Sequence, residues 1–282
     1  MSGCTNDKVE LVNFFDHVIE KKDYITGNGF IEACHQLDIT FSNIDYVSEG
    51  FREISQRPGD QIFVTHQSDF SATSELYSQM PQNIKIWFAQ NCEELPKNSK
   101  AIGIPIGLNN LTVLSNATSK FGKYSSGFGH ITDYHQNLYV QNEKTKTWQN
   151  LCYANFSTRT FSSERAPLWD WSNKLDWITQ RSSTSHLEFA NDVYNHPFVL
   201  SPRGNGYDCV RTWEAIYLRS IPIVKKSVPM SHFGELPILF IDDWNQITEE
   251  FLLDKLDEFK CKKFDMSKAK MSYWKTLLRE LK

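Results

Sequence analysis

An α/β protein built as two facing halves is what this sequence predicts, on three observations. Short apolar runs alternate with helix-length amphipathic stretches, which implies parallel sheets joined by right-handed crossovers. The texture breaks near residues 140–150, so the 282 residues divide into halves of similar length. The segment 196–224 compresses a strand, a Gly-bearing turn, a helix and a second strand into one run.

The elements follow in order. The first 24 residues read as a polar lead-in with one short amphipathic helix marked by Val9, Val12, Phe15, Val18 and Ile19. The α/β pattern is expected from Asp60, with strands at 61–65 (QIFVT), 84–88 (IKIWF) and 101–106 (AIGIPI), the last stopped by Gly107. Residues 109–150 are rich in Ser, Thr, Asn, Gly and Lys and are expected to hold a helix and a long connection. A second series opens with the strand 151–156 (LCYANF) and continues with strands at 198–200, 221–224 and 238–241. Helices are expected near 186–195, 207–219 and 248–258. The final stretch carries Met271, Trp274, Leu277, Leu278 and Leu281 at helical spacing. This gives an N-terminal half over 1–148, a second half over 149–265 and a closing helix over 266–282 that packs back on the first half. Ligands of such a fold sit in the crevice at the carboxyl ends of the strands.

Composition narrows the function. Hydrophobic residues at 40% and charged residues at 23% suit a soluble globular chain. A net charge of −4 lacks the basic surface that displaces counterions from nucleic acid, so no nucleic-acid partner is expected. Aromatic residues reach 13%, enough for a ring-rich core and for a groove that stacks on sugars or bases. The cysteines Cys4, Cys34, Cys92, Cys152, Cys209 and Cys261 are scattered without a CxxC pair, which speaks against structural zinc and for free thiols in a reducing compartment. The N-terminal run MSGCTNDKVELVNFF has no apolar stretch of signal-peptide length, and no run approaches a membrane span. A cytoplasmic location and no membrane span are therefore expected.

The chemistry concentrates in the turn Ser201-Pro202-Arg203-Gly204-Asn205-Gly206. Two glycines permit close backbone approach, and a helix opening near Tyr207 points its free amides and positive dipole end at the turn. Such a site favours an anion, phosphate most of all. Arg203 and Arg211 add forked donors. Asp208, Arg211 and Glu214 recur every three residues, which sets them on one ridge of the expected helix. The more distal carboxylate, Glu214, suits a ribose diol beyond the diphosphate. The competing reading makes Asp208 a helix cap and Arg211 its ion-pair partner, with the glycines forming only a tight turn. The turn is neither a Walker loop nor the GxGxxG dinucleotide fingerprint.

The run SPRGNGYDCVRTWEAIYLRSIPIV resembles the donor-binding motif of exostosin-like glycosyltransferases, most closely the short forms found in large DNA viruses and microbes. FVTHQSDFSAT at 63–73, WFAQN with IPIGL between 87 and 108, YANFSTRTFSSER at 153–165 and LPILFIDDWNQIT at 236–248 fit the same pattern. The resemblance covers most of the chain from about residue 60. It implies a GT-B architecture: two Rossmann-like halves, the second holding a nucleotide sugar and the first presenting the acceptor. It also implies an inverting transfer from a UDP-sugar donor, with xylose from UDP-xylose the expected sugar. The expected acceptor is the fucose of a viral capsid N-glycan, and the expected compartment the host cytoplasm.

Within that resemblance, the general base is expected to be Asp69, with His66 as runner-up base or as the partner that orients Asp69. The alternative use of Asp69 is as cap for the helix that follows it. No Asp-x-Asp motif is present, and Asp242-Asp243 are adjacent, so no metal cofactor is expected. The diphosphate is then assigned to Arg203 and Arg211 with Arg159, Arg165, Asn155, Ser157 and Thr158, which follow the strand LCYANF. For Arg165 the alternative is a surface pair with Glu164. Arg181 and Ser182 in the loop 179–184 are the expected uracil contacts. Trp87, Trp169, Trp171 and Trp213 suggest sugar platforms but equally suggest core, and Cys209 reads as a small buried residue. A nucleotide-sugar hydrolase and a non-catalytic UDP- or glycan-binding module are the alternatives to a transferase. A monomer is the default.

Overall fold

The computed structural model describes residues 18–94, 99–110, 138, 148–182 and 185–282. Most of the helix expected from Val9 to Ile19 and of the connection expected at 109–150 lies outside them; the described end of that helix, Val18 and Ile19, is not helical. The first half comprises α1 (Gly27–Gln36), β1 (Thr40–Ser42), α2 (Val47–Ser55), β2 (Gln61–Thr65), α3 (Ser74–Ser78), β3 (Ile84–Gln90) and β4 (Ala101–Ile104). The second comprises β5 (Cys152–Ala154), α4 (Ser162–Ser172), β6 (Ile178–Gln180), α5 (His186–Tyr194), β7 (Phe198–Leu200), α6 (Val210–Tyr217), β8 (Ile221–Lys225), α7 (Val228–Ser231), β9 (Leu239–Ile241) and α8 (Glu249–Cys261). A last helix, α9 (Met271–Leu281), closes the chain.

The protein is α/β with two parallel sheets. The first has strand order β1-β2-β3-β4 and the second β6-β5-β7-β8-β9. The α/β pattern begins well before Asp60, since α1, β1 and α2 precede it. β1 spans three residues and α1 opens on Gly27-Asn28-Gly29, both poor local signals. Thr26 also forms an isolated parallel bridge with Leu108 beyond β4.

Alternation along the strands divides the core. Ile62, Val64 and Phe88 face one cluster, while Phe63, Trp87 and Ala89 face another. The first cluster continues through Tyr153, Val199 and Trp213 of the second half and through Trp274 of α9. That helix packs against α1: Trp274 meets the Phe30 ring at 6.3 Å, and the Ser272 amide donates to Asp23 Oδ1 at 2.6 Å. No helix among the described residues is long and apolar enough to cross a membrane.

In the second sheet β5 has β6 on one side and β7 on the other, so chain direction across the sheet reverses between β5 and β7. Crossover helices leave such a switch point on opposite faces and open a crevice at the carboxyl ends of its two strands. Asn155 follows β5 there, and the turn 201–206 follows β7.

Candidate functional site

Helix α6 begins at Val210 with Cys209 as its N-cap, three residues later than the expected start at Tyr207. Asp208 therefore does not share a helical ridge with Arg211 and Glu214. Its carboxylate, 4% exposed, accepts from the Ile106 amide at 2.7 Å and from Trp213 Nε1 at 2.8 Å. Its own amide donates to Asn91 Oδ1 at 2.9 Å. Burial pushes this carboxyl up to about 7, against the opposing pull of those hydrogen bonds. Asp208 thus joins the second half to loops of the first instead of facing a ligand.

The turn is held from beneath by Arg165, which is 6% exposed. Its guanidinium donates from Nε to the Arg203 carbonyl (2.7 Å) and from its terminal nitrogens to the Pro202 (3.1 Å) and Ser157 (3.2 Å) carbonyls. Glu164 is not its partner, because that carboxylate pairs with Lys225 at 3.5 Å. Arg165 positions backbone, so its expected role as a phosphate ligand is largely taken by protein carbonyls. Arg211 donates Nε to the Asn155 carbonyl at 2.8 Å. Both guanidiniums lie over Phe156, at 6.0 Å for Arg165 and 5.6 Å for Arg211. Among the described residues neither makes an ion pair. Burial, with the like charge of Arg165 adding to it, holds the Arg211 guanidinium below its ordinary value. Two guanidiniums without an ion pair, beside a helix N-terminus, favour an anion there.

The remaining expected residues separate. Arg203 lies between two rings, 4.4 Å from Phe161 and 3.8 Å from Tyr207, and donates to the Gly204 and Asn205 carbonyls of its own turn. Ser201 hydrogen-bonds Thr212 Oγ1 inside the fold, and the Gly204 amide donates to Cys209 Sγ at 3.1 Å. Glu214 is buried one turn beyond Arg211. Asn155 Nδ2 donates to the Tyr153 hydroxyl, which reaches Asp192, and Arg181 lies 3.6 Å from the same carboxylate. Arg181 is thereby linked to the crevice through Asp192, while Ser182 and Arg159 are exposed at its margin. Ser157 Oγ accepts from the Arg159 amide at 3.3 Å, and Thr158 is half-buried beside it.

On the first half, Asp69 is exposed and its Oδ2 accepts from Asn205 Nδ2 at 3.0 Å, so the carboxylate touches the turn that follows β7. It does not cap α3, whose cap is Thr73. His66 is different. It is 2% exposed, its Nε2 donates to the Pro105 carbonyl at 2.9 Å, and its ring packs on Phe30. Burial pushes its imidazole down to about 4. A ring sealed in the core cannot reach an acceptor hydroxyl, and no hydrogen bond joins it to Asp69; both expected roles are withdrawn. Trp87 and Trp213 are fully buried core residues. Asp243 caps the turn 244–246, and Asp242 pairs with Lys226 at 2.8 Å. Among the described residues no cluster of His, Cys, Asp or Glu is placed to hold a metal.

Sequence reasoning missed Asn91. Its backbone is left-handed (φ 50°), and its side chain receives the Asp208 amide while lying against Gly206. Gln67 (φ 64°) at the end of β2 and Phe161 (φ 45°) beyond β5 are strained in the same way. Asp38 and Arg219 share that conformation but sit just past helix ends, where it is ordinary. The unexplained strain therefore lies in loops beyond strand carboxyl ends, where functional sites store it. Comparison with protein-family models and with curated proteins returned no match.

Proposed function

We propose that the protein is an inverting glycosyltransferase of GT-B type that uses a UDP-sugar. The observation that carries this reading is the pair of guanidiniums over Phe156, neither of them in an ion pair among the described residues, at the sheet switch point and beside the N-terminus of α6. A diphosphate placed there meets the terminal nitrogens of Arg211 and the amides that open α6. Glu214 lies further along the helix for the ribose diol, and Arg181 and Ser182 border the outer end for the base.

Asp69 is the general base. Its carboxylate takes the proton of an acceptor hydroxyl as that oxygen forms a bond to the anomeric carbon. The bond from that carbon to the diphosphate oxygen breaks on the opposite side, and its electron pair leaves with UDP. One displacement inverts the centre. The negative charge that develops on the leaving diphosphate falls where preorganised donors are worth several kcal/mol. Xylose is the proposed sugar and a fucose-bearing glycan the proposed acceptor, both on the resemblance of the donor motif.

The deciding experiment measures UDP release from a panel of UDP-sugars, each with and without a fucose-bearing acceptor. Acceptor-dependent release supports the transferase, and Asp69→Asn is then expected to lower it by about 10²–10⁴-fold. Release that ignores the acceptor identifies a hydrolase. UDP binding without release from any donor identifies a binding module.

A further inference from the structure

We propose that Phe70 and Tyr46 form a stacking site for a neutral sugar ring on the first half. The site adjoins the proposed transfer centre and takes its biological sense from that reading. Phe70 is 70% exposed on the loop beyond the carboxyl end of β2, and Tyr46 is 42% exposed at the end of the 3-10 turn Ile44–Tyr46 that follows β1. Scattered exposed apolar residues are ordinary, and Leu187 and Leu253 within α5 and α8 need no ligand to explain them. These two rings differ in being presented by segments laced together. Asn43 Nδ2 donates to the Gln67 carbonyl at 2.7 Å, Ser68 Oγ approaches Asp45 Oδ1 at 3.4 Å, and the Phe70 amide donates to Ser68 Oγ at 3.1 Å. A ring carried on such a laced loop loses little further freedom when it binds.

The next residue along the chain fixes the site's direction. Asp69 reaches Asn205, and the Asp69 carbonyl lies against Gly206, so Phe70 stands one residue from the contact between the halves. Charge selects the ligand. The segments 43–46 and 66–73 hold the carboxylates Asp45 and Asp69 and no lysine or arginine, and the His66 imidazole is buried. Anionic groups are repelled there. Carboxylates accept from hydroxyl donors, and aromatic faces cover the C–H face of a pyranose. A neutral, hydroxyl-bearing ring satisfies both, which assigns the acceptor's sugar to this lip.

The test uses the full chain and saturation-transfer NMR with L-fucose, D-xylose, D-galactose, D-glucosamine and D-glucuronate, beside calorimetric titration of UDP. Neutral sugars are expected to give saturation transfer that falls about tenfold in Phe70→Ala, falls in Tyr46→Ala and survives in Phe70→Trp, with UDP affinity the same throughout. Signals unchanged in Phe70→Ala, no sugar signal in the wild type, or strongest binding of glucosamine or glucuronate would each overturn the stacking site. Absence of UDP binding alongside the expected sugar signals instead removes the donor reading and leaves the stacking site in place.

Discussion

Arg165 and Arg211 both lie over the Phe156 ring, yet their hydrogen bonds give them different work. Arg165 gives Nε and both terminal nitrogens to backbone carbonyls on two loops, so its loss frees the turn and strands buried acceptors. Among the described residues Arg211 gives only Nε to a carbonyl, which leaves its terminal nitrogens to the proposed diphosphate. Arg211→Ala is therefore expected to weaken UDP binding by about 10–100-fold, the worth of hydrogen bonds to a charged group, with the smaller change in melting temperature. Arg165→Ala is expected to lower the melting temperature more, and calorimetry paired with thermal melts separates the two. Equal effects on both readouts would remove the distinction. Asp208 gives a residue-scale pH dependence. Its carboxyl titrates near 3.8 in an unfolded chain and near 7 when folded, so the folded state holds the extra proton between those values. That contribution to stability is full below about pH 4 and is lost as pH rises through about 7. Asp208→Asn sets an amide NH₂ against one of two N–H donors, from Ile106 and Trp213, and should cost about 1–3 kcal/mol. The gap between wild type and variant is expected to be wider at pH 5 than at pH 8; a constant gap would refute the titration.

At the scale of elements, the turn between β7 and α6 is shaped for close approach. A Cβ on Gly206 would lie 2.7 Å from Asn91 Nδ2 and 3.0 Å from the Asp69 carbonyl. Backbone on one side cannot yield, so Gly206→Ala is expected to push the turn away from β2 and β3. Acceptor-dependent turnover should fall at least tenfold while UDP still binds; unchanged turnover would show that this contact is dispensable. This unit was legible in the sequence because it is local: strand, turn, helix and strand follow within 196–224. The start of α6 was misplaced because Tyr207 and Asp208 suit a first helical turn, whereas the Asn91 and Ile106 contacts draw Asp208 outward. β1 and α1 were not legible, since three residues make no period and Gly27 and Gly29 depress helix propensity. Gly27 answers to packing instead: a Cβ there would lie 2.3 Å from Gln67 Nε2.

At the scale of the molecule, the ties between halves join residues far apart in sequence: Asn91 to Asp208 across 117 positions, Ile106 to Asp208 across 102 and Asp69 to Asn205 across 136. No periodicity encodes such pairings, so the candidate base could be read from its place after a strand, but its partner on the opposite half could not. The same distance hid the burial of His66, which depends on Phe30 and Pro105 closing over it. What makes the two sheets one body is the cluster that runs from Phe30 and Val64 through Tyr153 and Trp213 to Trp274. Trp274 is 1% exposed and donates Nε1 to the Lys268 carbonyl at 3.1 Å. Tyr217 reinforces the join, accepting from the Ile25 amide and donating to the Ala269 carbonyl, each at 3.0 Å. Trp274→Ala leaves a large cavity in that shared cluster and is expected to cost about 3–5 kcal/mol. For a chain of this size that corresponds to a fall of about 10 °C in melting temperature. Because the cluster is continuous, scanning calorimetry should show one transition that moves as a whole. Two transitions, with only the lower one displaced, would mean that α9 stabilises the first half alone and that the sheets unfold separately.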